Sequence, residues 1–204
     1  MIVRCAMVDI LYPIIEIFSS IQGEGFHMGK GATFIRVAGC NLRCSWCDTG
    51  YSFDLSKSKW MSVDAIVAAE HFSHQLVVIT GGEPTLYNLE PLVRALHKLG
   101  KYVTIETNGT NPIPVEWGID WITASPKPAN GFALSCRADE LKYVVDDEFS
   151  IDVISKHDVP EGRIFLQIES GRQESLQKAY DLINRYPELQ LRLGIQMHKV
   201  LNFR

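Results

Sequence analysis

Long apolar runs, basic tracts, repeats and low-complexity segments are all missing from this chain. No window approaches the roughly 20 uninterrupted apolar residues of a membrane helix. The opening stretch MIVRCAMVDILYPIIEIFSS is apolar only in patches, broken by Arg4, Asp9, Pro13 and Glu16. No small-residue cleavage site follows it, so no signal peptide is expected. Lys and Arg form no cluster and the net charge is −4, which argues against a surface built to neutralise nucleic-acid phosphates and for a small-molecule substrate. Cysteine is scarce too, five in 204 residues. A cytoplasmic protein is expected, where thiols stay reduced and clustered cysteines bind metal more often than they form disulfides. With 46% hydrophobic residues and no linker, a single domain over residues 1–204 is expected.

What is present is a concentration of that scarce residue. Cys40, Cys44 and Cys47 fall within CNLRCSWCDTG (40–50). Three is awkward, because a closed structural zinc site takes four ligands and a disulfide framework takes an even number. Short spacers let the loop curl about one centre. Spacing alone leaves open an iron–sulfur cluster, or zinc completed by a distant residue. A cubane cluster held by three cysteines would leave its fourth iron open, as catalytic zinc keeps an open position.

Around this loop the chain alternates. The runs TFIRV (33–37), LVVIT (76–80), YVTIE (102–106), WIT (121–123), LKYVV (141–145) and IFLQI (164–168) read as buried strands. Between them, Ser62 is placed to cap a helix through about His71, and Asn88 another that ends before Gly100. Residues 147–157 and 173–186 read as helices as well. Strand, helix, parallel strand in series gives a doubly wound sheet or a full or partial (β/α) barrel. TGGEP (80–84), ETNG (106–109), SPK (125–127) and QIES (167–170) lie at or just past strand carboxyl ends, where such folds build their sites.

The cysteine loop, with Trp46 before its last cysteine, resembles the radical S-adenosylmethionine (SAM) enzymes, and TGGEP looks like their methionine-binding loop. This resemblance implies an α/β fold: a partial (β/α) barrel of about six parallel strands with some short or reduced helices. A narrower resemblance, to the 7-carboxy-7-deazaguanine synthases, spans IFSSIQGEG (17–25), FIRVAGC (34–40), CDT (47–49), ETNG, SPK and QMHK (196–199). It implies a radical SAM lyase that contracts 6-carboxy-5,6,7,8-tetrahydropterin to 7-carboxy-7-deazaguanine with loss of ammonia, toward queuosine and related 7-deazapurines. The alternatives are a glycyl-radical activating enzyme and a non-catalytic zinc-binding module.

The same resemblance implies the roles. Cys40, Cys44 and Cys47 hold a 4Fe–4S cluster. Trp46, Cys47, Asp48, Gly82, Ser125, Pro126, Lys127, Gln167, Ile168, Glu169 and Ser170 surround SAM, whose cleavage gives a 5′-deoxyadenosyl radical that is later regenerated. Ile21, Gln22, Gly23, Glu24, Arg36, Thr80, Glu106 and His198 meet the pterin, and Thr49 meets magnesium. Glycines 81 and 82 let backbone approach a ligand closely. Carboxylates and amides suit the pterin's donor edge, and Arg36, inside an apolar strand, suits its carboxylate. An external electron donor such as flavodoxin and a homodimer are implied. Residues 1–11 read as an N-terminal extension, with Met7 a possible initiator, and Cys5 and Cys136 have no assigned role. The chain stops at Asn202-Phe203-Arg204, without the terminal proline through which some members contact the pterin.

Overall fold

A computed structural model describes residues 10–69, 72–156 and 158–203. Its centre is a sheet of seven parallel strands: β2 (Gly31–Val37), β4 (Leu76–Gly81), β5 (Tyr102–Thr107), β6 (Trp121–Ala124), β7 (Glu140–Val145), β8 (Ile164–Ile168) and β9 (Arg192–Gly194). Two more strands, β1 (Leu11–Ile21) and β3 (Lys59–Ser62), add antiparallel beside β2, giving the order β3-β1-β2-β4-β5-β6-β7-β8-β9. All six expected strands are therefore present, and the count of about six parallel strands rises to seven. β1, β3 and β9 are additions. β1 begins at Leu11, the last residue of the expected N-terminal extension, and residues 1–9, including Cys5, lie outside the described residues.

The helices follow their caps. Ser62 Oγ accepts from Ala65 N at the start of α1 (Val63–Val67), which stops short of His71, itself outside the described residues. Asn88 Oδ1 accepts from Glu90 N at the head of α2 (Glu90–Lys98), and Gly100, at φ +71°, follows its end. α3 spans Gln173–Arg185 and α4 Met197–Leu201. Residues 147–157 depart from expectation: they give a 3₁₀ helix, Ile151–Lys156. Asp146 Oδ1 accepts from Glu148 N and Phe149 N, so a side-chain-capped turn follows β7 ahead of that segment.

α1 and α2 cover one half of the sheet and α3 the other. Leu92, Val93 and Leu96 pack with Ile35, Val77, Ile79 and Ile105, while Ala179 packs with Leu141, Tyr143 and Leu166. Strands covered on both sides bury unbroken runs, as at 76–79 and 121–124. The sheet curls strongly. Phe26, on the β1–β2 connection, donates its N–H to Glu140 Oε2 of β7 at 2.7 Å and stacks on Trp121 of β6 at 4.7 Å. At the far end, Met197 N donates to Gly23 O at 3.0 Å, so the segment after β9 returns to the start of the same connection. The result is a partial barrel with its gap bridged by the chain's last described residues.

Candidate active site

Because the seven strands are parallel, their carboxyl ends open on one side, and the loops leaving them surround a single cavity. Its floor is stitched together by a buried carboxylate. Glu83, 0% exposed, accepts from Thr85 N (3.0 Å), Thr85 Oγ1 (2.5 Å) and Thr107 Oγ1 (2.7 Å) on one oxygen and from Asn108 N (2.6 Å) on the other. Its own N–H donates to Gly39 O at 2.7 Å. One side chain thus fixes the TGGEP loop against ETNG and against the base of the cysteine loop.

The adjoining glycines serve that junction. A Cβ on Gly81 would collide with Val37 O, and one on Gly82 with Gly39 O. Glycine is required at both positions because two backbones cross there, whatever else approaches them. Gly82 also faces the cavity.

Cys40, Cys44 and Cys47 line the cavity, each half-buried. Burial pushes the Cys40 and Cys44 thiols above their ordinary range, with Arg43 drawing Cys40 and Lys127 drawing Cys44 the other way. Lys127 Nζ lies 5.1 Å from the Trp46 ring and 2.5 Å from Ser125 Oγ, and burial, then Lys142, pushes its pKa down to about 8. Trp46 Nε1 donates to Asp146 Oδ2 at 2.9 Å. Thr49 lines the same space with its hydroxyl 3.7 Å from Cys47 Sγ.

A polar chain crosses the other side. Gln22 Nε2 donates to Glu106 Oε1 (3.1 Å), and Lys142 Nζ donates to both Glu106 Oε2 (2.8 Å) and Glu24 Oε2 (2.5 Å). Gln196 Nε2 then donates to Glu24 Oε1 (3.0 Å) and Asp48 Oδ2 (2.8 Å), and Lys199 Nζ to Asp48 Oδ2 (2.6 Å). Burial alone would raise both acids, but Lys142 holds Glu24, and Lys199 with Gln196 holds Asp48, below the usual carboxylate range. His198 packs on Gly23 so closely that a Cβ there would come 2.5 Å from its Nδ1.

Every expected site residue lines this cavity except Pro126, which is buried beside it. Arg36 departs in one respect. Its Nε pairs with Glu16 Oε1 at 2.8 Å, residue against residue in the β1–β2 register, so it already has an anion of its own. Glu169 lines the cavity while one oxygen accepts from Arg172 Nη1 at 2.7 Å. Cys136 packs between the two halves of the core, with its thiol pushed up to about 11 by burial. Lys142 and Val144 also line the cavity, outside every motif singled out above. Lys142 is a lone cation in the apolar run LKYVV, as Arg36 is in TFIRV.

The residues fit a thiolate-bound cluster and a polar cofactor. Three half-buried thiols share one loop, with Arg43 beside Cys40 and Lys127 beside Cys44 partly offsetting the upward push of burial on those two. The Gln167 carboxamide is 3% exposed, lines the cavity, and has neither its oxygen nor its nitrogen paired among the described residues, a position that calls for a ligand. Among the described residues no three His, Cys, Asp or Glu side chains converge closely enough to hold one metal ion. A cubane spreads its thiolates over separate irons and asks for no such convergence.

A partial barrel bearing three cysteines on the loop after its first parallel strand defines a radical SAM protein, and the Radical SAM superfamily model matches residues 34–124. As such it uses a 4Fe–4S cluster and SAM. Over 190 residues the chain is 41% identical to the 7-carboxy-7-deazaguanine synthase of Bacteroides thetaiotaomicron, covering 93% of this chain and 97% of that one. It is 37% identical to that of Aquifex aeolicus, with 84% of each covered. The crystal structure of QueE from Escherichia coli matches with a TM-score of 0.74 at 28% identity, over 92% of this chain and 95% of that one. The chain belongs to the 7-carboxy-7-deazaguanine synthase family. No helix among the described residues is long and apolar enough to cross a membrane.

Proposed function

We propose that this chain converts 6-carboxy-5,6,7,8-tetrahydropterin to 7-carboxy-7-deazaguanine with loss of ammonia, as a radical SAM lyase of 7-deazapurine biosynthesis. The observation that carries the reading is the meeting of Gln22, Glu24, Glu106 and His198, from three separated segments, in the cavity that the three cysteines line. Cluster and SAM, when bound, supply the one-electron chemistry. The protein's part is to bind, orient and exclude competing hydrogen donors.

Cys40, Cys44 and Cys47 hold the cluster. Trp46, Asp48, Gly82, Ser125, Lys127, Gln167, Ile168, Glu169 and Ser170 form the SAM side, with Pro126 shaping the turn between Ser125 and Lys127. On the substrate side, Gln22, Glu24 and Glu106 accept from the pterin's donor edge, Ile21, Gly23, Thr80 and His198 enclose it, and Arg36 pairs with its carboxylate while keeping Glu16. Thr49 serves magnesium, completed by water and substrate oxygens, since that ion prefers hard oxygen ligands and one hydroxyl makes no site. The enzyme is read as one domain, a cytoplasmic homodimer reduced by a flavodoxin-type donor.

The test is anaerobic incubation with SAM, magnesium, reductant and the carboxypterin, watching for the deazaguanine chromophore. No product from a protein with an intact cluster removes the substrate assignment. Product formed equally well without magnesium removes the role of Thr49, and a colourless protein holding one zinc ion removes the radical chemistry altogether.

A further inference from the structure

Lys142 belongs to none of the roles above, yet it stands at the centre of the polar chain. β7 alternates: Leu141, Tyr143 and Val145 face the core, and Lys142 and Val144 face the cavity. Its side chain is 11% exposed and its ammonium is shared between Glu24, beyond β1, and Glu106, at the end of β5. A lysine buried this deeply would ordinarily lose its proton. Burial does pull it that way, but Glu106 and Glu24 outweigh the pull and hold it firmly charged.

The count of donors and acceptors shows what is left over. Each carboxylate accepts twice, Glu106 from Gln22 and Lys142, and Glu24 from Lys142 and Gln196. A carboxylate has about four acceptor sites, so each keeps about two for a ligand. Two acids and one lysine also leave this group with one net negative charge at the cavity wall, and such a group needs donors or positive charge from whatever binds. The other charges facing it are Lys127, Asp48 and Glu140, the last with its carboxyl raised by burial.

We propose that Lys142 is a positioning residue for the substrate: by bridging Glu24 and Glu106 it holds two carboxylates side by side, charged and aimed at the cavity, and so selects a ligand whose edge carries several N–H donors. This rests on the pterin reading of the cavity. Without the bridge, two neighbouring carboxylates would repel and share a proton, and one would lose its ability to accept.

The experiment measures binding of the carboxypterin, without turnover, to the full-length, anaerobically cluster-loaded, SAM-bound protein across about pH 6 to 8. Wild type and Lys142→Arg are expected to bind with a flat profile. Lys142→Met is expected to bind about tenfold or more weakly at neutral pH, with affinity recovering as pH rises and the shared proton leaves, while SAM affinity is unchanged. A Lys142→Met protein that binds the pterin within about twofold of wild type, with a flat profile, overturns the proposal. If that variant does not load its cluster, Lys142→Gln keeps one donor to the pair and carries the same expectation, and a flat profile there overturns it equally. Wild type that binds SAM but not the pterin overturns the substrate reading and this inference with it, whereas wild-type binding left unaltered by the substitutions overturns the role of Lys142 alone.

Discussion

Replacing Glu83 by Gln changes one atom and should cost more than any other single-atom change near the site. The carboxylate takes three hydrogen bonds on Oε1 and one on Oε2, all from buried groups of two loops. The hydroxyls of Thr85 and Thr107 can rotate to accept, but the N–H groups of Thr85 and Asn108 cannot reverse. Whichever way a glutamine amide turns, its NH₂ therefore faces a backbone N–H, across the 2.6 Å now spanned to Asn108 or the 3.0 Å to Thr85. Stranding one buried N–H costs about 1–3 kcal/mol, and exchanging a charged acceptor for a neutral one at the remaining bonds adds about 1–2 kcal/mol. The sum is about 2–5 kcal/mol. For a chain of this size each kcal/mol moves the melting temperature by roughly 2–4 °C, so Glu83→Gln should melt on the order of 5–15 °C lower. Circular dichroism melts of both proteins, anaerobic and loaded identically with cluster, measure this. A melting temperature within about 2 °C of wild type would refute the claim that Glu83 ties these loops together.

Gly82→Ala drives a methyl into Gly39 O at the base of the cysteine loop, so iron content after reconstitution should fall several-fold, whereas Gly50→Ala, whose nearest new contact is Phe53 at 3.7 Å, should load normally. Cys136 should be neither a cluster ligand nor reactive: Cys136→Ala keeps full iron content, and iodoacetamide followed by mass spectrometry should find its thiol unmodified in the native protein and modified after unfolding. Lys127 titrates near 8 when folded and at the ordinary lysine value of 10.5 when unfolded. Between those values the unfolded chain binds the extra proton, so this residue's contribution to stability rises with pH. Urea titrations of SAM-free protein should therefore show Lys127→Met gaining on wild type near pH 7.5, with that advantage roughly halved by about pH 9.5 and lost only above the unfolded value of 10.5, and a pH-independent difference would count against a lysine whose charge is strained by burial.

The parallel strands were legible because covering both faces of a sheet demands unbroken apolar runs, and LVVIT or IFLQI can be little else. β1 escaped for the converse reason. It is antiparallel and partly exposed, and Pro13, Glu16, Ser19 and Ser20 interrupt it. β3 and β9 are short edge strands with no β-branched run to announce them. At the site, TGGEP, ETNG, SPK and QIES meet at one cavity because position at a strand's carboxyl end is itself readable, whereas Ile21 to Glu24, Arg36 and His198 were expected there from the resemblance alone. Pairings were not readable. Glu16 meets Arg36 only through the register of a hairpin, and Lys142 meets Glu24 across 118 residues only because the sheet curls.

That curl also explains how one small protein can hold cofactor and substrate in fixed relation. Asp48 follows Cys47 directly, whereas Glu24 lies on the side of the cavity proposed for the substrate. The Gln196 carboxamide donates to both, and Met197 N closes on Gly23 O beside them. A displacement of the cysteine loop is therefore felt at Glu24 through a single amide, and from Glu24 it passes through Lys142 to Glu106 and Gln22. Radical chemistry needs its reacting carbon held close to the hydrogen to be taken, and positioning of that kind is worth several kcal/mol of barrier only while the geometry is rigid. The crossing of backbones at Gly81 and Gly82, the buried Glu83 and the shared Gln196 each remove a way for the two halves to move apart.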